Sequence, residues 1–421
     1  MRKPREAFGH TWAMIPPLDP TLFDLDPAVL WIMHCGEGPV PLASARALAG
    51  FLKKELHPWE MDFREDFLGL PAKVRLEAAR LVGGRAEDIS LTMNTSTGLE
   101  IVAQGFPWRQ GDEVLSPLGE FPSNAWPWKS LAARGVAFRE VPLWAGHRAG
   151  TDALDSSAPS AADDPEGRIL DAIGPATRMV ALSWVRFQDG LKLDLARLGS
   201  GCAAKGVPLV VDGIQGAGTH RPELANVSAF ATGGHKGLLT PQGIGFLWTS
   251  QAFRRSLVPT GTWLSVEDGS NFLRPSTDLD RAWLEDGRRL EPGGYPGMAC
   301  AGFLESLRML NLAGNGAGVS AIAAHVRALQ GLLLDGLEGL PPWKDEARRL
   351  RGLLDAGRLG AILALHHGGR GGDFLMDLLR RGASRGVHAS VREGYLRVAL
   401  HGFHTGKDVD RILAWLTETA S

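Results

Sequence analysis

The sequence predicts an α/β fold in which a large domain carries a mostly parallel, doubly wound sheet and a smaller α+β domain follows it. Three observations predict this. Short apolar, β-rich runs alternate with helical patterns from Asp112 onward, and strands separated by helices of that length make βαβ units. After about Gly297 the texture changes to long helical stretches. The 421 residues suffice for one large domain with a substantial buried core and a smaller one beside it.

In chain order, residues 112–118 (DEVLSPL) read as a strand, 124–135 (NAWPWKSLAARG) as a helix and 136–144 (VAFREVPLW) as a strand. Residues 150–167 are poor in large apolar side chains and rich in Ser, Ala, Asp and Pro, which marks a solvated surface insertion. A strand follows at 178–185 (RMVALSWV), then a helix at 193–206 (LDLARLGSGCAAKG) and strands at 207–213 (VPLVVDG) and 243–250 (GIGFLWTS). Beyond these come helices at 301–310 and 321–337, the alternating run GYLRVAL at 394–400 with one buried face, and a last helix at 407–416. The expected division is residues 1–30 as an arm joining the small domain, 31–296 as the large domain and 297–421 as the small one.

Charge is nearly balanced, 45 Lys+Arg against 47 Asp+Glu, which argues against a nucleic-acid footprint or a polybasic membrane patch and leaves a small-molecule partner. Three widely spaced cysteines, Cys35, Cys202 and Cys300, give neither a disulfide framework nor a CxxC metal site. No HExxH or clustered Cys/His spacing supports zinc, so no metal is expected. Basic residues in MRKPREAFGH are not followed by an apolar h-region, and no uncharged apolar stretch is long enough to cross a bilayer. A cytoplasmic protein is therefore expected.

Three short stretches carry chemistry. In ATGGHKGLLTPQGIG, Lys236 stands in a run without other charge except its neighbour His235; it is either a surface lysine or one held in a pocket for its amine. VPLVVDGIQGAG puts Asp212 at the carboxyl end of a parallel strand, where such sheets bind ligands, although an isolated strand-end Asp also caps turns. Gln215 follows it and taken alone is a surface polar residue. TMNTSTGLEIVAQGF starts a helix at Thr95 and Ser96, where hydroxyls and free N–H groups make either an anion site or an ordinary cap.

A hydroxyl-rich helix start, an aromatic after a strand in GEFPSN, a strand-end Asp with its Gln, and His-Lys about twenty residues beyond occur in one order. This order resembles the class V aminotransferase family of fold-type I pyridoxal 5'-phosphate (PLP) enzymes, which includes cysteine desulfurases, kynureninases and isopenicillin N epimerase. DGIQGAG followed by GGHKGLLTPQGIGFLW is the most specific part of the match. The resemblance implies PLP as cofactor, with Lys236 as the amine that holds it and later moves the α-proton, and Asp212 as the carboxylate facing the pyridine nitrogen. It implies Gln215 on the phenolic oxygen, Thr95, Ser96 and His235 on the phosphate, and Phe121 over the ring face. In REGYLRVALHGFHT, Arg397 matches the arginine that grips the carboxylate of an amino-acid substrate, a task suited to its planar fork. Arg392, in the approach to it, reads as a surface arginine. The resemblance further implies a homodimer with shared active sites, residues 291–297 being the crossing element.

Departures narrow the reading. The loop SRGVHASVREGYLR has no cysteine, which argues against a desulfurase. Gly233 stands where a serine often precedes the Gly-His-Lys, and GGYPG replaces a GTxN element, so Gly294 offers only backbone. Arg186 in SWVRFQDG pairs either with a second acidic group on the substrate or with a carboxylate of the protein. The isopenicillin N epimerase-like branch is closest, which leaves aminotransferase, epimerase and β-eliminating C–S lyase chemistry open. A non-catalytic PLP-fold binding or regulatory protein is the alternative of another class, with less need of Lys236, Asp212 and Arg397 together.

Overall fold

A computed structural model describes residues 14–417. After the short strand β1 (Leu30–Trp31), seven strands make the central sheet: β2 (Ile89–Thr92), β3 (Glu113–Pro117), β4 (Ala137–Val141), β5 (Thr177–Ser183), β6 (Leu209–Asp212), β7 (Ala229–Gly233) and β8 (Gly245–Thr249). Their order is β2-β8-β7-β6-β5-β3-β4. The pairs from β7 through β6, β5 and β3 to β4 are parallel, whereas β8 runs antiparallel to both its neighbours. Strands β6, β7 and β8 are buried at every residue, which is why they read as continuous apolar runs.

Helices α1 (Leu42–Leu56), α2 (Leu70–Val82), α3 (Thr95–Gly105), α4 (Trp126–Lys129), α5 (Pro165–Ala172), α6 (Leu195–Ala204) and α7 (Gln251–Ser256) belong to the same stretch of chain. Alternate strand residues enter two different cores, as a period of two demands. Met179, Ala181 and Val210 join Leu99 and Val102 of α3 in one. Val180, Leu182 and Val211 join Leu195 and Leu198 of α6 in the other. Helices therefore cover both faces, and the sheet is doubly wound.

Two local expectations are corrected. The helix expected at 124–135 is only α4 continued by a 3-10 turn, Ser130–Arg134, because Pro127 has no N–H and is tolerated only in a first turn. The stretch 150–167 is more than solvated loop: Ala153, Ser156 and Pro159 are buried, and α5 begins inside it, capped by Asp164, which accepts the Gly167 N–H at 3.0 Å.

The remaining elements are α8 (Gly297–Gly316), α9 (Val319–Glu338), α10 (Lys344–Asp355), β9 (Ile362–His366), α11 (Gly372–Ala383), β10 (Val387–His388), β11 (Ser390–Arg392), β12 (Tyr395–Ala399) and α12 (Gly406–Thr417). Strands β11, β12 and β9 form an antiparallel sheet, and β1 pairs in parallel with β10. Within the expected N-terminal arm, residues 1–13 lie outside the described residues, and the Leu18 N–H donates to the Gly402 carbonyl at 3.0 Å. Strand β12 is buried along both faces rather than one. Leu396 and Val398 enter the main core, while Tyr395 and Ala399 pack with Cys35, Ile362 and Ala364. Chain from the other end of the sequence thus covers the face that alternation left to solvent. No single helix among the described residues is long and apolar enough to cross a membrane.

Candidate active site

Loops from the carboxyl ends of sheet strands, the start of α3, the segment after β1 and the β11–β12 hairpin meet at a cavity of about 300 Å3. The end of β6 supplies Asp212, which is 3% exposed and accepts the Ile214 N–H at 2.9 Å. Burial raises its pKa to about 7; the nearby Glu120 carboxylate pushes the same way, and Lys236 opposes it. A carboxylate in this setting is completed by a facing cation.

Lys236 follows the end of β7 and lines the same cavity. Its ammonium has no hydrogen-bond or ion-pair partner among the described residues and lies 5.6 Å from the centre of the Phe121 ring. Burial lowers its pKa, with Asp212 working against the shift. The backbone beneath it is interlocked. The Gly38 N–H donates to the His235 carbonyl at 2.7 Å, and a Cβ on Gly38 would collide with the Lys236 carbonyl oxygen. A Cβ on Gly237 would likewise collide with the Ala217 carbonyl.

Asn94 caps α3 by accepting the Thr97 N–H at 2.9 Å, which leaves the N–H groups of Thr95 and Ser96 without helical partners at the cavity. Thr95 Oγ1 accepts the Gly233 N–H at 2.8 Å and so ties this helix start to the end of β7. Gln215 donates from Nε2 to the Cys35 carbonyl at 3.0 Å, while its buried Oε1 has no partner. His235 lines the cavity, and burial lowers its pKa. Phe121 does too, meeting Phe187 edge-on at 5.1 Å. Arg397, 3% exposed, donates from Nε to Ser390 Oγ at 3.0 Å and from Nη1 to the Phe187 carbonyl at 2.8 Å; among the described residues Nη2 stays open, and no carboxylate pairs with it. An unpaired amine, two free N–H groups, an unsatisfied amide oxygen and an open guanidinium edge fit PLP together with a carboxylate-bearing ligand.

The structure thus brings Thr95, Ser96, Phe121, Asp212, Gln215, His235, Lys236 and Arg397 to one cavity. It does not bring Arg186, and the expected substrate contact is corrected to the salt bridge. Arg186 is 3% exposed, its Nε donates to Asp189 at 2.9 Å and its Nη1 to the Leu118 carbonyl at 3.1 Å, and the Trp144 ring lies 5.4 Å from the guanidinium. Its charge is already matched three residues along the chain. Other residues of the lining were not among the expected ones, Cys35, Asn94, Phe187 and Arg392 among them. The spacing of Asn94 to Thr97 is a cap signature that could have found the first turn; Cys35 and Phe187 carry no local signal.

Behind Lys236 lies a layer of buried histidines. His401 accepts the Gly402 N–H at Nδ1, so its proton sits on Nε2, which donates to the Gly237 carbonyl at 3.0 Å. His404 accepts the His401 N–H at Nδ1 and donates from Nε2 to the Trp31 carbonyl. Burial holds His401 at about 3 and lowers His404 and His34 as well. Because these folded-state values lie below the unfolded 6.5, the unfolded chain takes up more protons as pH falls. Their contribution is complete above 6.5 and is lost from there toward about 3 for His401, at about 1.4 kcal/mol per pH unit for each histidine. Urea midpoints should accordingly fall steeply between pH 6.5 and 4, and His401→Asn should flatten that slope.

Three relatives and one solved structure compare closely. The protein is 30% identical over 277 residues to isopenicillin N epimerase of Streptomyces clavuligerus, covering 64% of this chain and 66% of that one. It is 28% identical over 425 residues to isopenicillin N epimerase of Amycolatopsis lactamdurans, covering 94% and 96%. It is 32% identical over 243 residues to a probable cysteine desulfurase of Methanothermobacter thermautotrophicus, covering 55% and 56%. The chain therefore spans just under two thirds of the first relative and little over half of the last. In fold it is similar to a mutant of C-DES with glycine covalently linked to its PLP cofactor, at a TM-score of 0.77 and 21% identity over 95% of this chain and 99% of that one. That architecture is the fold-type I fold of PLP enzymes. The family model for aminotransferase class-V matches residues 56–354, which hold the sheet, the start of α3, Asp212 and Lys236, and the chain belongs to that family.

Proposed function

We propose that this chain is a PLP-dependent enzyme acting at the α-carbon of an α-amino acid, by transamination or epimerisation rather than by desulfuration of cysteine. The observation that carries the reading is the unpaired Lys236 amine in one cavity with Asp212 and Arg397. PLP, when bound, supplies an electron sink for the negative charge left on the α-carbon. Asp212 would hold a proton on the ring nitrogen, which in turn keeps this buried carboxylate ionised. Gln215 would bond the phenolic oxygen, Phe121 would cover the ring, and Thr95, Ser96 and His235 would hold the phosphate at the start of α3. Arg397 would grip the substrate carboxylate with its open edge, placing the α-proton within reach of Lys236 Nζ. A depressed lysine pKa suits that task, because the amine must be neutral to take a proton.

A cysteine desulfurase needs a thiol that can reach the substrate sulfur. Cys202 and Cys300 are buried in α6 and α8. Cys35 lines the cavity but is 2% exposed and rests against Ser390 Oγ at 3.7 Å, fixed in the wall. Three unpaired cysteines also suit a reducing cytoplasm. The test is a panel of amino acids and cysteine conjugates in heavy water with the PLP-loaded protein. Keto-acid release or α-proton exchange supports the proposal. Alanine and a persulfide from cysteine, or no reaction with any amino acid, would overturn it.

The same reading includes a homodimer. Phe63, Phe67, Trp263 and Phe272 form one run of ring contacts at 4.8–6.1 Å, with Phe67 and Phe272 half or more exposed and Leu273 fully so. A cavity of about 710 Å3 opens beside them against Glu291 and Tyr295, with no lysine in its lining. Aromatic patches of this kind mark interfaces. Sedimentation should give the mass of two chains, and Phe272→Asp with Leu273→Asp should give one chain with weakened cofactor retention. A monomeric wild type that is fully active at dilution would sink the dimer.

A further inference from the structure

The β11–β12 hairpin carries a second guanidinium into the cavity. Its turn is Glu393-Gly394, with φ of 44° and 83°, the two-residue loop whose positive φ values match the twist of the flanking strands. Glycine takes such a conformation freely, and the turn fixes the register: Arg392 lies opposite Tyr395, and Ser390 opposite Arg397. Side chains two apart on a strand share a face, so Ser390, Arg392 and Arg397 point to the same side of the sheet. Arg392 and Arg397 are diagonal neighbours, whose separation is roughly 7–8 Å. Both line the cavity.

The two arginines differ in what they already hold. Arg397 is anchored by Ser390 and the Phe187 carbonyl. Ser390 Oγ spends its lone pair on Arg397 and can therefore turn its own proton toward Cys35 Sγ, which fixes the whole row. Among the described residues Arg392 makes only a 3.2 Å bond to the Val391 carbonyl beside it and has no carboxylate within ion-pair distance, Glu393 included, and it is exposed where it lines the cavity. Among the described lining residues the one acid is Asp212, on the opposite side of Lys236's charge balance. An α-amino acid brings one α-carboxylate, and Arg397 accounts for it. The second guanidinium on that face is left without an anion.

Resting on the reading of Arg397 given above, we infer that Arg392 is a specificity-determining residue that binds a second carboxylate on the substrate side chain, so that the preferred substrates are acidic α-amino acids. The role once open to Arg186 falls to a residue two strand positions from Ser390. A neutral side chain of the same length would leave Arg392 in solvent and forgo a charge-assisted bond.

The test separates the arginines from the chemistry. Calorimetric titration of the PLP-loaded protein with succinate, glutarate and butyrate uses acids that carry no amine and cannot react. Absorbance titration with glutamate and glutamine follows the reacting complex. The better dicarboxylate should bind about tenfold more tightly than butyrate, and Arg392→Gln should bring that ratio to within about threefold, with glutamate losing its advantage over glutamine in step. Arg392→Lys, which keeps the charge, should recover part of the preference. A wild-type ratio near one, or a ratio unchanged in Arg392→Gln, would overturn the inference. If Lys236 does not hold the cofactor, the absorbance titration is silent for every amino acid while the calorimetric ratio still reports on Arg392, so the two readings fail separately.

Discussion

Lys236→Ala yields a folded protein that keeps no cofactor through borohydride reduction and turns over amino acids at least about a thousandfold more slowly. On the proposed reading the effect is large because one atom would serve twice, holding the cofactor and carrying the α-proton, and no other lysine among the described residues lines the cavity. Folding should survive. Among the described residues the ammonium has no hydrogen bond or ion pair to lose, only the Phe121 ring at 5.6 Å, and burial disfavours its charge, so alanine chiefly removes a desolvated cation. Visible absorbance, mass spectrometry after borohydride and thermal unfolding check the three parts. Reduced cofactor on a different lysine would reject the assignment.

Arg397→Leu should lower kcat/KM for every amino-acid substrate by on the order of 30- to several-thousand-fold, the cost of losing one partner of a desolvated charge pair. Uniformity is the diagnostic, since all such substrates share the α-carboxylate. Arg397→Lys should remain impaired, because an ammonium cannot reproduce the fork while also meeting Ser390 and the Phe187 carbonyl. Leucine leaves that carbonyl unpaired inside the protein, so unfolding is measured alongside kinetics. Losses confined to acidic substrates would show that the residue reads the side chain instead.

Asp212 was legible in the sequence because it closes a strand buried on all sides, where a charge stands out and where position along the strand already says which end of the sheet it occupies, whereas Lys236 was legible from the otherwise charge-free run around it and its spacing after Asp212, the strand before it, β7, not being among those expected. Thr95 and Ser96 were legible as a helix start, although the capping residue is Asn94. Arg186 was not, since a single arginine after a strand does not reveal whether its neighbour Asp189 turns back on it. Arg392 needed the pairing register, which depends on a turn conformation, and Cys35 needed contact with Ser390 across 355 positions of sequence. The alternation of β12 misled for the same reason: burial of its second face comes from chain far away.

The interlocked glycines around Lys236 bear on how such a protein can diversify. Because Gly38 and Gly237 leave no room for even a methyl group beside neighbouring carbonyls, the lysine loop is closed to gradual remodelling at these two positions, where an added side chain would push on the backbone that carries the amine. The exposed Arg392 beside the β11–β12 turn is under no such constraint. Lineages that acquire new substrates should therefore vary at the hairpin while the lysine loop stays frozen, so that the part of the molecule most free to drift is the part that chooses what it acts on.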